Sequence, residues 1–414
     1  MQMHITNKKR DKELCNDHNL LANEIAKSIK LYNWDFVLPD LPIGSFLVGG
    51  YIRDLILGEL SATLDIDIVV PNDPQIVGEN IVKRFNGKLI ILDKEREVVR
   101  VIFGKLIFDI ASQTDNSLKE DLKNRDFTIN SIAYSFHENK IIDPLNGIND
   151  INQSLITTFR EQNLLNDPLR MLRCFRFVSE LNFKIEDELI KFIYKNKEKL
   201  ALVSVERIQY ELKKIFNGME ALKTIQLINK FQLFNWIQSY ENHSEINLNI
   251  INNKYFNIEE ANTFFSICFL IEILDDQSIQ SFKFSKSEIA KARAIRKWKM
   301  VLLRKSIHDF SEIERFQLHN ELEEILPAFI LYLPKKLHLQ WLKRWRNKED
   351  KLFHPANLID GDTIKRYINI SDGPLLGDLM KHLSIELAYG RLDNFDEAIF
   401  KAKQWFKQNA PKCD

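Results

Sequence analysis

Two hydrophobic periods divide the chain. Up to about residue 150, apolar residues come in short runs closed by turn residues or charges: Ser45 to Val48, Ile66 to Val70, Lys88 to Leu92, Glu97 to Phe103 and Leu106 to Ala111. Runs this short, bounded in this way, read as β-strands. One stretch with helical spacing, Tyr51 to Leu57, separates the first two. After Gly147 the apolar spacing changes to three and four, as in Leu169, Leu172 and Phe175, or Ile208, Leu212, Ile215 and Phe216, which is the stripe of an amphipathic helix. No fixed repeat period is present. The pattern predicts an α+β fold, a mixed sheet with helices followed by an all-α remainder. The expected divisions are an N-terminal helical extension over 1–30, a mixed head over 31–150, a helical neck over 151–220, a helical body over 221–330 and a helical tail over 331–414.

Composition narrows the function classes. At 414 residues the chain exceeds what one core usually fills. Lys plus Arg and Asp plus Glu are both 58, so a uniformly basic nucleic-acid binder is excluded and any anion site must be local. A hydrophobic content of 45% with only 13 Gly and 11 Pro excludes a disordered or collagen-like chain. The apolar run Phe264 to Leu274 is about half as long as a membrane span and carries Glu272, while the N-terminus is polar where a signal peptide is apolar. A cytoplasmic protein is expected, with no membrane partner. Cys15, Cys174, Cys268 and Cys413 are scattered, which suits reduced thiols rather than a disulfide framework or a zinc site.

The stretch from Phe46 to Val70 carries the most chemistry. A strand ending in Gly49 and Gly50 lets backbone N–H groups approach phosphates closely, and the helix that follows points its N-terminus at the same anion, with Arg53 adding charge. In Asp65, Ile66, Asp67 the period of two puts both carboxylates on one strand face. Two such carboxylates repel unless a cation sits between them, and hard oxygen ligands beside triphosphate oxygens suit Mg²⁺. Asp109, between Phe108 and Ile110 on a later strand, is a candidate third carboxylate, acting as base or extra ligand. Taken singly, the glycines suit an ordinary turn and the aspartates a solvated strand face.

The succession resembles the class II nucleotidyltransferases of the DNA polymerase beta superfamily, which include tRNA CCA-adding enzymes and bacterial poly(A) polymerases. LVGGYIRD at 47 to 54 with LDIDIVV at 64 to 70 resembles the family's first motif, and RDFTIN at 125 to 130 its second. DPLNG at 143 to 147, DPLRMLRCFRF at 167 to 177, VERIQYEL at 205 to 212, LIDGDTI at 358 to 364 and GPLLG at 373 to 377 follow in the family's order. The resemblance implies a polymerase beta-like head with Asp65 and Asp67 on Mg²⁺. It also implies that the second motif selects the sugar. Arg125, Asp126 and Asn130 offer donors and acceptors at helical spacing, enough to hold a ribose; helix-start chemistry at Asp126 is the plainer reading. Asn124 stands where the family commonly has Arg.

The run NDPLR at 166 to 170 resembles the family's EDxxR, in which Asp and Arg act as an amino-acid template for the incoming base. Carried over, Asp167 and Arg170 read the base: a carboxylate accepts from the exocyclic amine that C and A share, and a guanidinium donates to the neighbouring ring acceptor. Asn166 replaces the family's Glu and cannot hold Arg170 by a salt bridge. Arg173 and Arg176, which follow Arg170 at a spacing of three, join the nucleotide-binding candidates. The plainer reading makes Asp167 a helix N-cap before Pro168, and Arg173 and Arg176 a solvated or tRNA-facing stripe. Only Gln113 to Asn124 separates the last head strand from the second motif, the short form seen in members that add only the two cytidines.

Lys283 to Lys305 and Lys335 to Lys348 are basic, with Trp298, Trp341 and Trp345 interleaved, which suits RNA phosphates and base stacking, or solvated faces over buried tryptophans. His308 with Asp309 lacks companion ligands. The expected function is template-independent addition of CMP, AMP or both, from CTP and ATP, to the tRNA 3′ end, with no DNA partner. Poly(A) synthesis and a degenerate, RNA-binding head are the rivals.

Overall fold

The computed structural model describes residues 17–60, 64–71, 73–94, 97–114, 117–234 and 258–409. The first sixteen residues of the expected extension, residues 235–257 of the expected body, the last five of the tail, Cys15 and Cys413 lie outside the described residues. The chain forms two compact units. The first holds the described residues up to Thr224 together with Lys230–Phe234, and the second takes Ile225–Asn229 and the described residues from 258 onward.

The first unit begins with α1 (His18–Leu31), followed by β1 (Phe46–Val48), α2 (Gly50–Leu57), β2 (Leu64–Val70), α3 (Pro74–Phe85), β3 (Lys88–Asp93), β4 (Val98–Phe103) and β5 (Leu106–Ser112). Then come α4 (Leu118–Lys123), a 3₁₀ turn at Thr128–Asn130, β6 (Ala133–Ser135) and β7 (Lys140–Ile142). The seven strands form one mixed sheet in the order β3-β4-β5-β2-β1-β6-β7, in which only β2 and β5 run parallel. All five expected strands are present. The hairpin β6–β7 was not expected, because strands of three residues are too short for a period to show.

Alternation along β2 explains how the sheet presents its carboxylates. Leu64, Ile66 and Ile68 are buried, and in the parallel register Ile66 lies beside Phe108 and Ile68 beside Ile110. Trp34, fully buried, packs edge-on against Tyr51 and Phe108 at ring-centroid distances of 5.7 and 5.9 Å. On the other face Val69 packs with Val48, Leu122 and Ala133. Asp65, Asp67 and the register partner of Asp67, Asp109, share that second face.

The neck follows as α5 (Gly147–Gln153), β8 (Leu155–Ile156), α6 (Gln162–Asn166), α7 (Leu169–Leu181), β9 (Lys184–Ile185), α8 (Asp187–Asn196), α9 (Val205–Asn217) and α10 (Ala221–Lys230). α7 and α9 pack face to face, with Ser179 Oγ donating to the Ile215 carbonyl at 2.6 Å. Buried between them, Arg176 donates to both carboxylate oxygens of Glu211 at 3.2 Å and lies 3.3 Å from Glu180. Arg176 is a nucleotide-binding candidate in the sequence, with a solvated or tRNA-facing stripe as the plainer reading. It is a buried cation instead, because Glu211 reaches it from the facing helix.

The second unit contains α11 (Ile258–Ile273), α12 (Asp276–Ser281), α13 (Lys286–Leu302), α14 (Glu312–Leu322), α15 (Leu326–Ile330), α16 (Lys335–Arg346), α17 (Gly361–Ile368), α18 (Pro374–Ala388) and α19 (Phe395–Asn409). The tail helices close a core of their own around Ile364, Leu379, Leu392 and Ala402. The basic run on α13 is largely neutralised by acids from other helices: Lys297 pairs with Glu321, Lys299 with Glu272, Lys305 with Glu314 and Arg296 with Asp276. On α16, Arg344 pairs with Asp350 and Arg346 with Glu260, while Lys335, Lys336 and Lys343 are exposed. The tryptophans serve packing. Trp298 is buried and donates to Glu321, Trp341 lies 5.1 Å from the His319 ring, and Trp345 donates to the Glu323 carbonyl. His308 and Asp309 form one short 3₁₀ turn.

Removing one partner of a buried ion pair leaves an uncompensated charge. Glu211→Ala is therefore expected to destabilise the first unit by about 3 kcal/mol. Chemical denaturation followed through that unit checks this, and a loss under about 1 kcal/mol would mean that Glu180 alone satisfies Arg176.

Candidate active site

Gly49 ends β1 and caps α2 with φ of +81°. A Cβ there would lie 2.6 Å from Asp67 Oδ2 and 3.2 Å from Arg125 Nη1, so both backbone conformation and space demand glycine. Register places Val48 opposite Asp67 on one side of β2 and Asp109 on the other. Asp65 is exposed, and neither it nor Asp67 has an ion-pair partner among the described residues. Burial pushes the Asp67 carboxyl up to about 6; the Arg125 charge opposes this, and the Asp109 and Asp65 charges add to it. A pair of oxygen ligands on one face, with no ion-pair partner among the described residues, fits a hard divalent cation.

Asp109 is engaged from a neighbouring strand. Both its oxygens accept from Arg100 of β4, Nε and Nη2 each at 2.7 Å, so it is neither a free base nor a plain surface aspartate. Among the described residues no group of three or more His, Cys, Asp or Glu side chains is placed to hold a metal ion. The two aspartates of β2 stand without a third acidic ligand.

The second motif is a bend and a 3₁₀ turn rather than the helix its spacing suggested. The cause is local: Asp126 Oδ1 accepts from its neighbour's backbone, Phe127 N–H, at 2.9 Å, and from Asn130 Nδ2 at 2.9 Å. Its Oδ2 accepts from Arg173 Nε at 2.8 Å. Burial pushes this carboxyl up, but Arg173, the Asn130 amide and the Arg170 charge outweigh burial and hold it well below the usual carboxylate range. Asn130 Oδ1 in turn accepts from Arg53 Nη1 at 2.7 Å, and Arg53 pairs with Asp54 at 2.7 Å. A continuous polar chain thus ties α2 to the motif and the motif to α7. Arg173, like Arg176, is no solvated stripe.

Asp167 is not an N-cap. Pro168 occupies that position with no side-chain cap, and Asp167 Oδ2 accepts from Arg207 Nη2 of α9 at 2.8 Å. Arg170 Nη1 donates to the Asn124 and Asn163 carbonyls at 2.8 and 3.3 Å. Asn166 accepts from Gln162 at 2.8 Å, so backbone carbonyls do the holding that a glutamate at 166 was expected to do.

Two adjoining cavities collect these residues. One of about 470 Å³ is lined by Gly49, Gly50, Arg53, Asp65, Asp67, Asn130, Arg176 and Lys214. The other, about 750 Å³, is lined by Asn124, Asp167, Arg170 and Arg207. Arg125, Asp126 and Arg173 line both. Asp109 lines neither. Arg207 and Lys214 were overlooked in the sequence, although their spacing of seven on an amphipathic helix puts them on one face beside the apolar stripe.

Residues 45–157 match the Poly A polymerase head domain, and residues 182–240 match the probable RNA and SrmB-binding site of polymerase A. The chain is 30% identical to the CC-adding tRNA nucleotidyltransferase of Synechocystis sp. over 403 residues, covering 89% of this chain and 95% of that one. The chain belongs to the tRNA nucleotidyltransferase family. A CCA-adding enzyme of Staphylococcus aureus is 25% identical over 86% of this chain and 92% of its own length. The fold is that of the Bacillus stearothermophilus CCA-adding enzyme solved with CTP, at a TM-score of 0.67, 20% identity and coverage of 98% of this chain and 100% of that one. The Thermotoga maritima CCA-adding enzyme complexed with tRNA gives 0.64 at 23% identity, with 95% and 96% covered. A nucleotidyltransferase whose glycine turn, aspartate pair and second motif line one cavity is not a degenerate head.

The raised Asp67 carboxyl carries a stability signature. Its folded value of about 6 lies above the ordinary 3.8, so between them the folded protein binds the extra proton and stability falls as pH rises through about 6. With divalent ions chelated, Asp67→Asn is expected to melt above the wild type at about pH 8 and level with it at about pH 4. Thermal melts of both proteins across that range check this, and a pH-independent gap would contradict the assignment.

Proposed function

We propose that this nucleotidyltransferase adds CMP to the 3′ end of tRNA, completing CC, and that CTP is its principal substrate. The observation that carries the reading is the pair of cavities sharing the wall Arg125, Asp126 and Arg173: the aspartates line one, and Asp167 and Arg170 line the other. The restriction to CC is supported by the short Gln113–Asn124 connection, half of it folded as α4, and by the relative of that name in Synechocystis sp.. Full CCA addition is the second reading, favoured by the CCA-adding enzymes that match along nearly the whole chain.

The division of labour follows from the placement of residues. In the head, 31–150, backbone N–H groups of the Gly49–Gly50 turn bind phosphate oxygens, and Asp65 with a deprotonated Asp67 would hold Mg²⁺, which supplies charge neutralisation at the reacting phosphate. The terminal 3′-OH attacks the α-phosphate in line and pyrophosphate leaves. Asp126 and Asn130 fix the ribose, with Arg53 and Arg173 holding them in turn. In the neck, 151–220, Asp167 accepts from the cytosine amine and Arg170 donates to the ring acceptor, whereas U and G present the wrong partners. The body, 221–330, and tail, 331–414, hold the RNA, the exposed Lys335, Lys336 and Lys343 contributing phosphate contacts. A cytoplasmic setting is supported by the free, buried Cys174 and Cys268 and by the lack, among the described residues, of any helix long and apolar enough to cross a membrane.

tRNAs ending before, within and after CCA, each incubated with one nucleotide, test the activity. CTP is expected to extend the shortest tRNA by two residues, with ATP adding nothing to the CC end. A single A on that end would assign full CCA addition, and a long A tract a poly(A) polymerase. Asp167→Ala and Arg170→Ala are each expected to lose the preference for C over U by about tenfold or more. Asp167 caps no helix, so its loss costs only its ion pair with Arg207, whereas Arg170→Ala also strands the Asn124 and Asn163 carbonyls and is expected to melt lower. Retained preference in both variants would remove them from base reading.

A further inference from the structure

Five cations line the smaller cavity: Arg53, Arg125, Arg173, Arg176 and Lys214. The four arginines are already committed to carboxylates, Arg53 to Asp54 at 2.7 Å, Arg125 to Asp121 at 3.1 Å, Arg173 to Asp126 at 2.6 Å and Arg176 to Glu211 at 3.2 Å. Lys214 pairs with no carboxylate among the described residues. Its ammonium lies 4.6 Å from the centroid of the Tyr210 ring, and Tyr210 is 59% exposed. The helix α9 buries Ile208, Leu212 and Ile215 on one side, so Tyr210 and Lys214, one turn apart, stand together on another.

We propose that Lys214 is the side chain that grips the β- and γ-phosphates of the incoming nucleotide, and the pyrophosphate after transfer. This rests on the reading of the smaller cavity as the triphosphate site. A nucleoside triphosphate brings several negative charges into a space already lined by Asp54, Asp65, Asp67, Asp126 and Glu180. The arginines contribute N–H donors, but their charge is cancelled by partners within salt-bridge distance. Lys214 lies in the field of Glu180 but is bound to no carboxylate among the described residues, so it brings the least committed charge, on a compact ammonium with three donors at the end of a flexible stem. The Tyr210 ring steadies that ammonium through its π face without neutralising it, as a carboxylate would. In the transfer the tRNA 3′-OH loses its proton to water as its oxygen bonds the α-phosphorus, the bond to the bridging oxygen breaks, and the electron pair leaves with pyrophosphate. Lys214 therefore touches the leaving group rather than the nucleophile.

The test compares Lys214→Gln, Lys214→Arg and, as a control, Lys213→Gln on the same helix outside the cavity lining. Measured are kcat and KM for CTP, inhibition by inorganic pyrophosphate, direct binding of CTP and of pyrophosphate by calorimetry, and tRNA affinity. Lys214→Gln is expected to raise KM for CTP and weaken pyrophosphate binding, each by about tenfold, with tRNA affinity unchanged. Lys214→Arg should recover most of both, and Lys213→Gln should match the wild type. CTP and pyrophosphate constants within about twofold of wild type in Lys214→Gln would overturn the proposal. An equal loss in Lys213→Gln would also overturn it, since the effect would then belong to the general field. A wild type that binds CTP yet transfers nothing to tRNA would defeat the functional reading alone, because the binding constants judge Lys214 independently.

Discussion

A carboxylate enclosed by protein must be compensated, and the compensation of Asp126 organises the site. The group is 6% exposed, and its two oxygens are divided between the motif's own turn and the neck. Oδ1 bends the backbone by taking Phe127 N–H and the Asn130 amide, while Oδ2 takes Arg173 from α7. Sheet and neck therefore fold as one unit, although their secondary structures change character near residue 150. The same chain of bonds continues through Asn130 to Arg53 and reaches the glycine turn. Each link is charged or hydrogen-bonded, so none can shift without exposing another, which suits a site that must hold a sugar, a phosphate and a base in fixed relation.

Much of this was legible in the sequence because it rests on local geometry. Alternation in LDIDIVV was enough to place Asp65 and Asp67 on one face, and a positive φ at Gly49 is what a paired glycine after a strand announces. What stayed hidden depended on residues distant in the chain. Arg100 claims Asp109 across a strand pair, and nothing in either segment marks the partnership. Arg173 and Arg176 carry the spacing of a solvated stripe, and only the acids facing them, Asp126 and Glu211, turn them inward. Asn166 in place of the family's Glu put the orientation of Arg170 in question, and backbone carbonyls of Asn124 and Asn163 hold it instead, a kind of partner that side-chain identity does not reveal. Part of the charge in the basic runs of the second unit is spoken for in a related way, by acids from neighbouring helices, while Lys335, Lys336 and Lys343 stay exposed.

Compensation by neighbours is thus the rule throughout the molecule, and the exceptions carry the functional meaning. Among the described residues Asp65, Asp67 and Lys214 form no ion pair, although Arg125 acts on Asp67 and Glu180 feels Lys214 from a distance, in a cavity whose other charges are paired. Such opposite, unspent charges in one chamber make it ready for a ligand that brings both signs, a phosphate chain with its counter-ion, and poor for either alone.

The wall shared by the two cavities has a consequence for ligand design. Because Arg125, Asp126 and Arg173 face both chambers, a small anion on one side and a flat amine-bearing ring on the other would sit back to back without overlapping. Each fragment alone would bind weakly. Joined by a linker of the right span, they would gain from effective concentration as well as from contacts, and the linker length itself would discriminate against enzymes whose chambers are spaced differently.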